Sequence, residues 1–531
     1  MTEEVRPGGT YKTLAEQREV LTPAEERFEK IRQTSGLFLG PIVFLIMYLL
    51  PLPLDANQQT LAAILSFTIV YWLSEAIPIP VTAVLALALC VLFNVPGVGP
   101  NADDSPGDVV FGGFIDPVIF LFIGAFIIAQ AMITHGLDRR FAFMVLSIPG
   151  VAKSTYGVVI AFGAIAALIS AFISNTTTAA MLLPIGLGMM GALGGMVKEQ
   201  SGTDRDTSRL RFGTALMLMI SYGAGVGGLL TPIGTPPNLI GIAFIEQETN
   251  IRITFFDWVL TAAPIVFLMF VALCFILILL NRPETRRLEG AEEFIAEQRR
   301  GLGSFSTGER NTLIAFVVAV SLWVLPGASA LIFGDESTVY NFLYSRLDEG
   351  TVAIVAAALL FLLPINWAER RFTMNWNDAA RIDWGTVILF GCGIALGTLL
   401  SDTGLAEVIG KGIADLFGFT SLLAVSAVSA LIAIVISETT SNTASATIVV
   451  PIVIPIAAAA GLDPLIPALA AVFGASFGFM MPVSTPQNAV VYGSGMIPIT
   501  KMVRSGIFFD IIGLVLIVLL IPVMAGIFLG G

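Results

Sequence analysis

Apolar residues run in blocks of about 15 to 25 along most of the chain, broken by short polar segments, a length that fits helices crossing a bilayer at about 1.5 Å per residue. Spans are predicted near 37–54, 58–76, 79–94, 114–134, 212–248, 258–281, 311–334, 350–365, 384–401, 464–498 and 506–529. Two of these, 212–248 and 464–498, are too long for one crossing and carry Pro at mid-length, in TPIGTPPN (231–238), which also holds Gly234, and MPVSTPQN (481–488). Each is expected to be a broken helix. Two further apolar regions, 156–186 and 420–456, hold polar clusters near their centres, ISNTTT (173–178) and TSNTAS (440–445). If each is a helical hairpin that enters and leaves on the same side, about 11 transmembrane helices plus two re-entrant hairpins result, with the N-terminus inside and the C-terminus outside.

The charges bear on that layout. Placing 1–35, 135–155, 187–211, 282–310, 366–383 and 499–505 in the cytoplasm puts 24 of the 27 Lys and Arg there and leaves Arg252, Arg346 and Lys411 outside, a strong positive-inside bias. Treating the hairpins as full crossings would move the segment RRLEGAEEFIAEQRR (286–300) to the outer face. The chain is 56% hydrophobic and only 12% charged, about half the charged share of a soluble domain, so an all-α polytopic protein of the plasma (inner) membrane is expected, with lipid as its solvent. A net charge of −12 leaves no basic surface for nucleic acid. Cys90, Cys274 and Cys392 stand singly in apolar runs and read as core residues, and His135 as a solvated interfacial group. The mixed-charge start lacks the order of a cleavable signal, and TPAEERFEKIRQ (22–33) predicts a short helix lying against the membrane face.

The chain contains a duplication. THGLDRR (134–140) matches DTGLAEV (402–408), SAFISNTTTAAMLLPI (170–185) matches SETTSNTASATIVVPI (437–452), and TPIGTPPNLI (231–240) matches MPVSTPQNAV (481–490), at offsets of 268, 267 and 250 residues by their first positions. The charged insert 197–211 in the first half accounts for the shorter last offset. By the positive-inside count the two halves have opposite orientation, the inverted-topology repeat of many secondary transporters, whose site lies at mid-membrane between the halves. A single Ser-Asn-Thr in a span reads as helix packing. Its recurrence at equivalent turns, each freeing backbone groups that hydrocarbon cannot satisfy, points to a ligand.

Hydroxyls, amide oxygens and loosened carbonyls form a hard, oxygen-only ligand set suited to an alkali cation, sodium being the natural candidate. The helix leaving each turn offers N–H groups and a positive dipole end to an anion. No Lys or Arg falls in a predicted span core, so an anion with charge at both ends, such as a dicarboxylate, would be balanced by dipoles and co-bound cations. A proton antiporter would need buried carboxylates, and only Glu75 and Glu438 stand out as candidates; Glu75 reads as a structural group, and Glu438 as support for the hairpin, since its first-half counterpart is Ala171. GAGVGG (223–228) fits a nucleotide motif only in letters, because no strand precedes it, and reads as helix packing or a hinge. No nucleophile–base pair or ATP-binding loop suggests an enzyme.

At these residues the sequence resembles the divalent anion/sodium symporter family, carriers of succinate, malate, citrate and related anions. SEAIPIPVTA (74–83), HGLDRRFA (135–142), both Ser-Asn-Thr motifs, GTPPN (234–238) and the second T-P-x-N carry the resemblance, over nearly the whole chain. It implies a homodimer with an elevator mechanism, transporting dicarboxylate or tricarboxylate anions. It implies one sodium at Ser170, Ser174 and Asn175 with the Gly234 carbonyl, and another at Ser437, Ser441 and Asn442 with the Ser484 carbonyl. Substrate carboxylates would meet Asn175, Thr176 and Thr235 on one side and Asn442, Thr443, Thr485 and Pro486 on the other. Ser484 and Gln487 stand where the family more often has Ala and Pro. Some members exchange anions without sodium, which leaves sodium-independent exchange on the same fold as an alternative, and an anion channel as a more distant one. The expected organisation is a cytoplasmic segment 1–35, scaffold spans 36–155 and 311–419, a cytoplasmic loop 282–310, and a transport domain from 156–281 and 420–531.

Overall fold

The computed structural model describes residues 23–99, 104–201, 210–286, 290–417 and 421–529. Residues 1–22 of the expected segment 1–35 and most of the charged insert (202–209) lie outside the described residues. Helices dominate, and among the described residues eight are long and apolar enough to cross a membrane, with shorter apolar helices between them. Their outward faces carry rows of exposed apolar side chains, such as Phe267, Phe275 and Leu279 on the helix Phe255–Leu280. That surface suits lipid rather than water.

Both long predicted spans are broken where proline and glycine fall. The first is Arg211–Gly228 followed by Pro236–Thr249, and the second Leu465–Ala475 followed by Pro486–Tyr492. Thr235 and Thr485 hold the residue before each new helix in extended conformation, φ −148° and −143°, as a residue ahead of proline prefers, and Pro236 and Pro486 occupy the first helical position, where a missing N–H costs nothing. Both polar clusters are hairpin turns. Thr155–Ser170 returns as Asn175–Ser201, and Leu422–Thr439 returns as Asn442–Ala459.

The two halves are interlocked. The helix Asn175–Ser201 of the first hairpin packs on Pro486–Tyr492 of the second broken helix, and Asn442–Ala459 of the second hairpin packs on Pro236–Thr249 of the first. Each half's own hairpin lies against its own first helix segment, Thr155–Ser170 on Arg211–Gly228 and Leu422–Thr439 on Leu465–Ala475. GAGVGG supplies the first of these contacts: a Cβ on Gly223 would stand 2.9 Å from the Gly163 carbonyl oxygen, and one on Gly227 would run into Ala167. The motif is therefore a helix-packing seam.

Four expectations change. The first helix is continuous over Pro23–Leu49, so 22–33 is not a separate surface helix; nothing in IRQTSGLF stops the helix. The predicted span 350–365 ends at Leu362, because Pro364 opens a short two-stranded ribbon, Pro364–Asn366 with Arg371–Phe372, within the helical bundle. His135 is half-buried, its Nε2 2.7 Å from the Thr373 carbonyl oxygen and its ring against Gly308, and thus ties two segments together instead of standing in solvent. Of the two acids expected to be buried, Glu438 is 5% exposed but Glu75 is only half-buried, and Asp138, Glu309 and Asp510 are also buried, each 5% exposed.

Candidate functional site at the paired hairpin turns

The last residue of the first hairpin's leading helix, Ser170, is fully buried and donates its hydroxyl hydrogen to Asn175 Oδ1 at 2.5 Å. The second turn repeats the bond: Ser437 Oγ lies 2.8 Å from Asn442 Oδ1, and also 2.8 Å from the Ala475 carbonyl oxygen. In both turns the hydroxyl oxygen keeps lone pairs after its hydrogen is spent. Ser174 and Ser441 open the returning helices, accepting from the Thr177 and Ala444 N–H groups at 3.3 and 3.2 Å. Ser174 is exposed, and Thr176, Asn442 and Thr443 are half-buried.

Each turn faces the unwound segment of its own half. Asn238 Nδ2 donates to the carbonyls of Gly228 (2.9 Å) and Thr231 (2.8 Å), and Asn488 Nδ2 to those of Gly478 (2.8 Å) and Met481 (3.0 Å). These two asparagines hold both unwound segments in one shape. Both stand in the duplicated T-P-x-N motif, and their recurrence there is the sequence signal for this role. Gly234 sits so close to other carbonyls that an added Cβ would meet Gly228 O at 2.5 Å and Ala171 O at 3.0 Å. Asn175 Oδ1 approaches Gly228, and Asn442 Oδ1 approaches Gly478, closely enough that a Cβ there would stand 2.5 and 3.1 Å away. Thr235 and Thr485 are buried at the next helix start, and Pro486 is half-buried beside it.

Hydroxyl, amide and carbonyl oxygens thus converge in each half, beside helix starts whose N–H groups favour anions. Several buried oxygens at these turns lack a hydrogen-bond partner: Thr178 Oγ1, Asn238 Oδ1 and Ser476 Oγ. Such atoms are rare in a finished interior and fit a site that takes a polar ligand. Among the described residues no cluster of three or more His, Cys, Asp or Glu could hold a metal, and the donors present are the hard oxygens that an alkali cation prefers.

Across the halves, Ser221 Oγ donates to Asn488 Oδ1 at 2.6 Å, Thr214 Oγ1 to the Met496 carbonyl at 2.9 Å, and the Tyr222 hydroxyl lies against the Phe479 and Met502 carbonyls. The remaining motifs of the sequence serve elsewhere. Arg140 of HGLDRRFA clamps Glu309 (2.5 Å) and the carbonyls of Leu302 to Ser304, and Glu75 pairs with Arg32 at 3.3 Å, with Arg32 also donating to the Thr439 carbonyl beside the second turn.

Interlocked half-repeats with unwound helices and polar turns inside a multi-pass membrane bundle define a secondary transporter, not an enzyme. The sequence places it more closely. Residues 32–530 match the model of the sodium:sulfate symporter transmembrane region, and the chain belongs to that family. It is similar to the sodium-dependent dicarboxylate transporter SdcS of Staphylococcus saprophyticus, 31% identical over 516 residues that cover 95% of this chain and 94% of the relative. SdcS of Staphylococcus aureus strain USA300 is 31% identical over 506 residues, covering 94% and 92%. Among solved structures, the YdaH transporter of Alcanivorax borkumensis superposes with a TM-score of 0.51 at 15% identity, over 84% of this chain and 98% of that one; the likeness is one of fold.

Proposed function

We propose that this chain carries divalent carboxylate anions of the succinate, malate and fumarate type, and larger ones such as citrate, across the plasma membrane together with sodium. The observation that carries this is the duplicated turn: buried Ser170 bonded to Asn175 and buried Ser437 bonded to Asn442, each beside a segment whose carbonyls have left their helix. The relatives named as sodium-dependent dicarboxylate transporters support the same substrate and ion. One sodium is assigned to Ser170, Ser174, Asn175 and the Gly234 carbonyl, a second to Ser437, Ser441, Asn442 and the Ser484 carbonyl. The anion is assigned to Asn175, Thr176 and Thr235 at one end and to Asn442, Thr443, Thr485 and Pro486 at the other.

No cationic side chain is assigned to the anion, so its charge is offset by bound sodium and helix N-termini, and each ligand strengthens the other's binding. The transport domain, 156–281 with 420–531, is taken to move as an elevator against the scaffold, 36–155 with 311–419, in a homodimer with N-termini inside and C-termini outside. Uptake of labelled succinate into proteoliposomes with and without an inward sodium gradient tests the coupling. Uptake many-fold faster with the gradient is expected. Equal uptake under both conditions would replace symport by sodium-independent exchange, and single-channel steps in a planar bilayer would replace carriage by a pore.

A further inference from the structure

Arg211, Arg282, Lys501 and Arg504 converge at one end of the bundle, where the spanning helices Phe255–Leu280 and Ile499–Phe528 pack together. Arg504 Nη2 donates to the Leu280 carbonyl at 2.8 Å, and Asn281 Nδ2 to the Ser505 hydroxyl at 3.2 Å. These bonds bring Arg282 into the neighbourhood of Arg504, and Lys501 lies one turn earlier on the last helix. Glu284 brings in Arg211: its Oε1 and Oε2 accept from the backbone N–H groups of Arg211 and Phe212 at 2.6 and 3.2 Å. Arg211, Arg282 and Arg504 are exposed, and Lys501 is half-buried.

None of these cations is ion-paired among the described residues. Glu284, the carboxylate among them, spends both oxygens on the N–H groups that open the helix Arg211–Gly228. Cations gathered in this way repel one another and favour an anion from outside the chain. Beside Arg504 the last helix bears a surface groove of about 390 Å³, lined by Ile499, Thr500, Val503, Arg504, Ile507 and Phe508. Ile507 and Phe508 are 40% and 50% exposed, and the apolar face continues along the helix through Ile511 and Val515. The groove therefore runs from a cationic end onto a surface that suits hydrocarbon.

We propose that this groove binds an anionic phospholipid, its headgroup phosphate at Arg504 and Lys501, with Arg211 and Arg282 adding to the field, and one acyl chain along Val503, Ile507 and Phe508. A guanidinium suits phosphate: Arg504 spends one N–H on Leu280, and its planar fork keeps others for the lipid. The bond to Leu280 also fixes Arg504 where a spanning helix ends, at headgroup depth. A zwitterionic lipid brings its own cation with its phosphate and gains less here. A free phosphate would meet the cations and leave the apolar groove unused. The positive-inside bias accounts for cations on this side, but not for a groove leading from them to hydrocarbon. The site shares no residue with the hairpin turns and does not depend on the substrate or ion assigned to them.

The test is the melting temperature of the purified full-length protein in neutral detergent, with phosphatidylglycerol, phosphatidylcholine or inorganic phosphate added. Saturating phosphatidylglycerol should raise it by about 3–5 °C, and the other two should leave it unchanged. Lys501→Gln combined with Arg504→Gln keeps a donor for the Leu280 carbonyl but removes both charges, and should abolish the phosphatidylglycerol shift. Val503→Trp fills the groove, leaves the cations in place and should weaken the shift. Arg299→Gln with Arg300→Gln, both exposed at the end of the helix Ala291–Gly301, is the control that keeps the full shift. Equal shifts with phosphatidylglycerol and phosphatidylcholine, or a full shift in the Lys501 and Arg504 variant, overturn the proposal. Loss of the shift in both double variants, which marks general surface charge, and an equal shift with inorganic phosphate, which marks an anion site without a lipid, overturn it as well. If the Lys501 and Arg504 variant fails to fold, Val503→Trp decides alone, and an unchanged shift there overturns it.

Discussion

In the first half the hairpin turn is tied to its unwound segment by one hydroxyl on one backbone carbonyl, Thr231 to Ala171. In the second the tie is manifold: Ser437 Oγ meets the Ala475 carbonyl and Asn442 Nδ2 that of Ser476, while at the other end of the segment Ser484 reaches both the carbonyl and the carboxylate of Glu438, which in turn takes two backbone N–H groups. The position that is Ser484 in one half is Gly234 in the other, and there no side chain fits. Both halves hold the same asparagine brace, Asn238 and Asn488, on carbonyls at matching positions. Hydrocarbon leaves no water to satisfy loosened backbone, so each half must close its own hydrogen-bond account. Duplication fixed the shape, and divergence then changed which groups close it.

The strongest way to break this pairing of halves is at the groups they share. Asn175→Ala and Asn442→Ala each strip an amide oxygen from a proposed ion site; the first also leaves the buried Ser170 hydroxyl unanswered, about 1–3 kcal/mol, whereas Ser437 keeps the Ala475 carbonyl. Both should lower succinate uptake about 100-fold or more while the protein still inserts and purifies as wild type. Near-normal uptake in both would remove these turns from the transport path, and loss in one alone would mean that a single turn carries the chemistry.

Next come the positions where the halves differ. Gly234→Ala drives a methyl group into the carbonyls of Gly228 and Ala171, a backbone clash costing about 3 kcal/mol; uptake should fall about 10- to 100-fold and the melting temperature by several degrees. Ser484→Ala removes the hydroxyl contacts to Glu438 but introduces no clash, so about 1–2 kcal/mol and a several-fold rise in half-saturating sodium are expected. Should Ser484→Ala prove the more damaging, the second half depends on that hydroxyl more than the first depends on its missing side chain.

Much of the frame is legible in the sequence because its signals are local. Proline at 231–238 and 481–488, joined by Gly234 in the first, marks both breaks, and repetition of Ser-Asn-Thr marks both turns. The ribbon at 364–372 is not legible, since PIN and RF are too short to show a strand period, and the first helix hides its length because nothing between residues 23 and 37 stops it. Asp510 is illegible for another reason. A lone acid in IFFDIIGL does not announce its burial, which packing in three dimensions decides. The repeat likewise hides the bonds that Glu438 makes to residues 479, 480 and 484, because the matching position of Glu438 is Ala171 and suggests that no acid is needed.

The smallest expected effect lies just ahead of each hairpin, where Asp138 of HGLDRRFA occupies the place of Ala406 in the second half. Both side chains are buried. Burial pushes the Asp138 carboxyl up to about 6, partly offset by the Arg139 N–H it accepts at 2.7 Å. In the unfolded chain such a group titrates near about 4, so the folded protein holds the proton more tightly. Its contribution to stability is complete below about pH 4 and is lost as pH rises through about 6, at most about 3 kcal/mol. Asp138→Ala, which installs the second-half residue, removes that loss. The variant in detergent should melt about 2–4 °C above wild type at pH 8 and level with it at pH 4. An unchanged difference between pH 4 and pH 8 would show that Asp138 keeps its proton throughout, or that the pH dependence of stability arises at other buried acids.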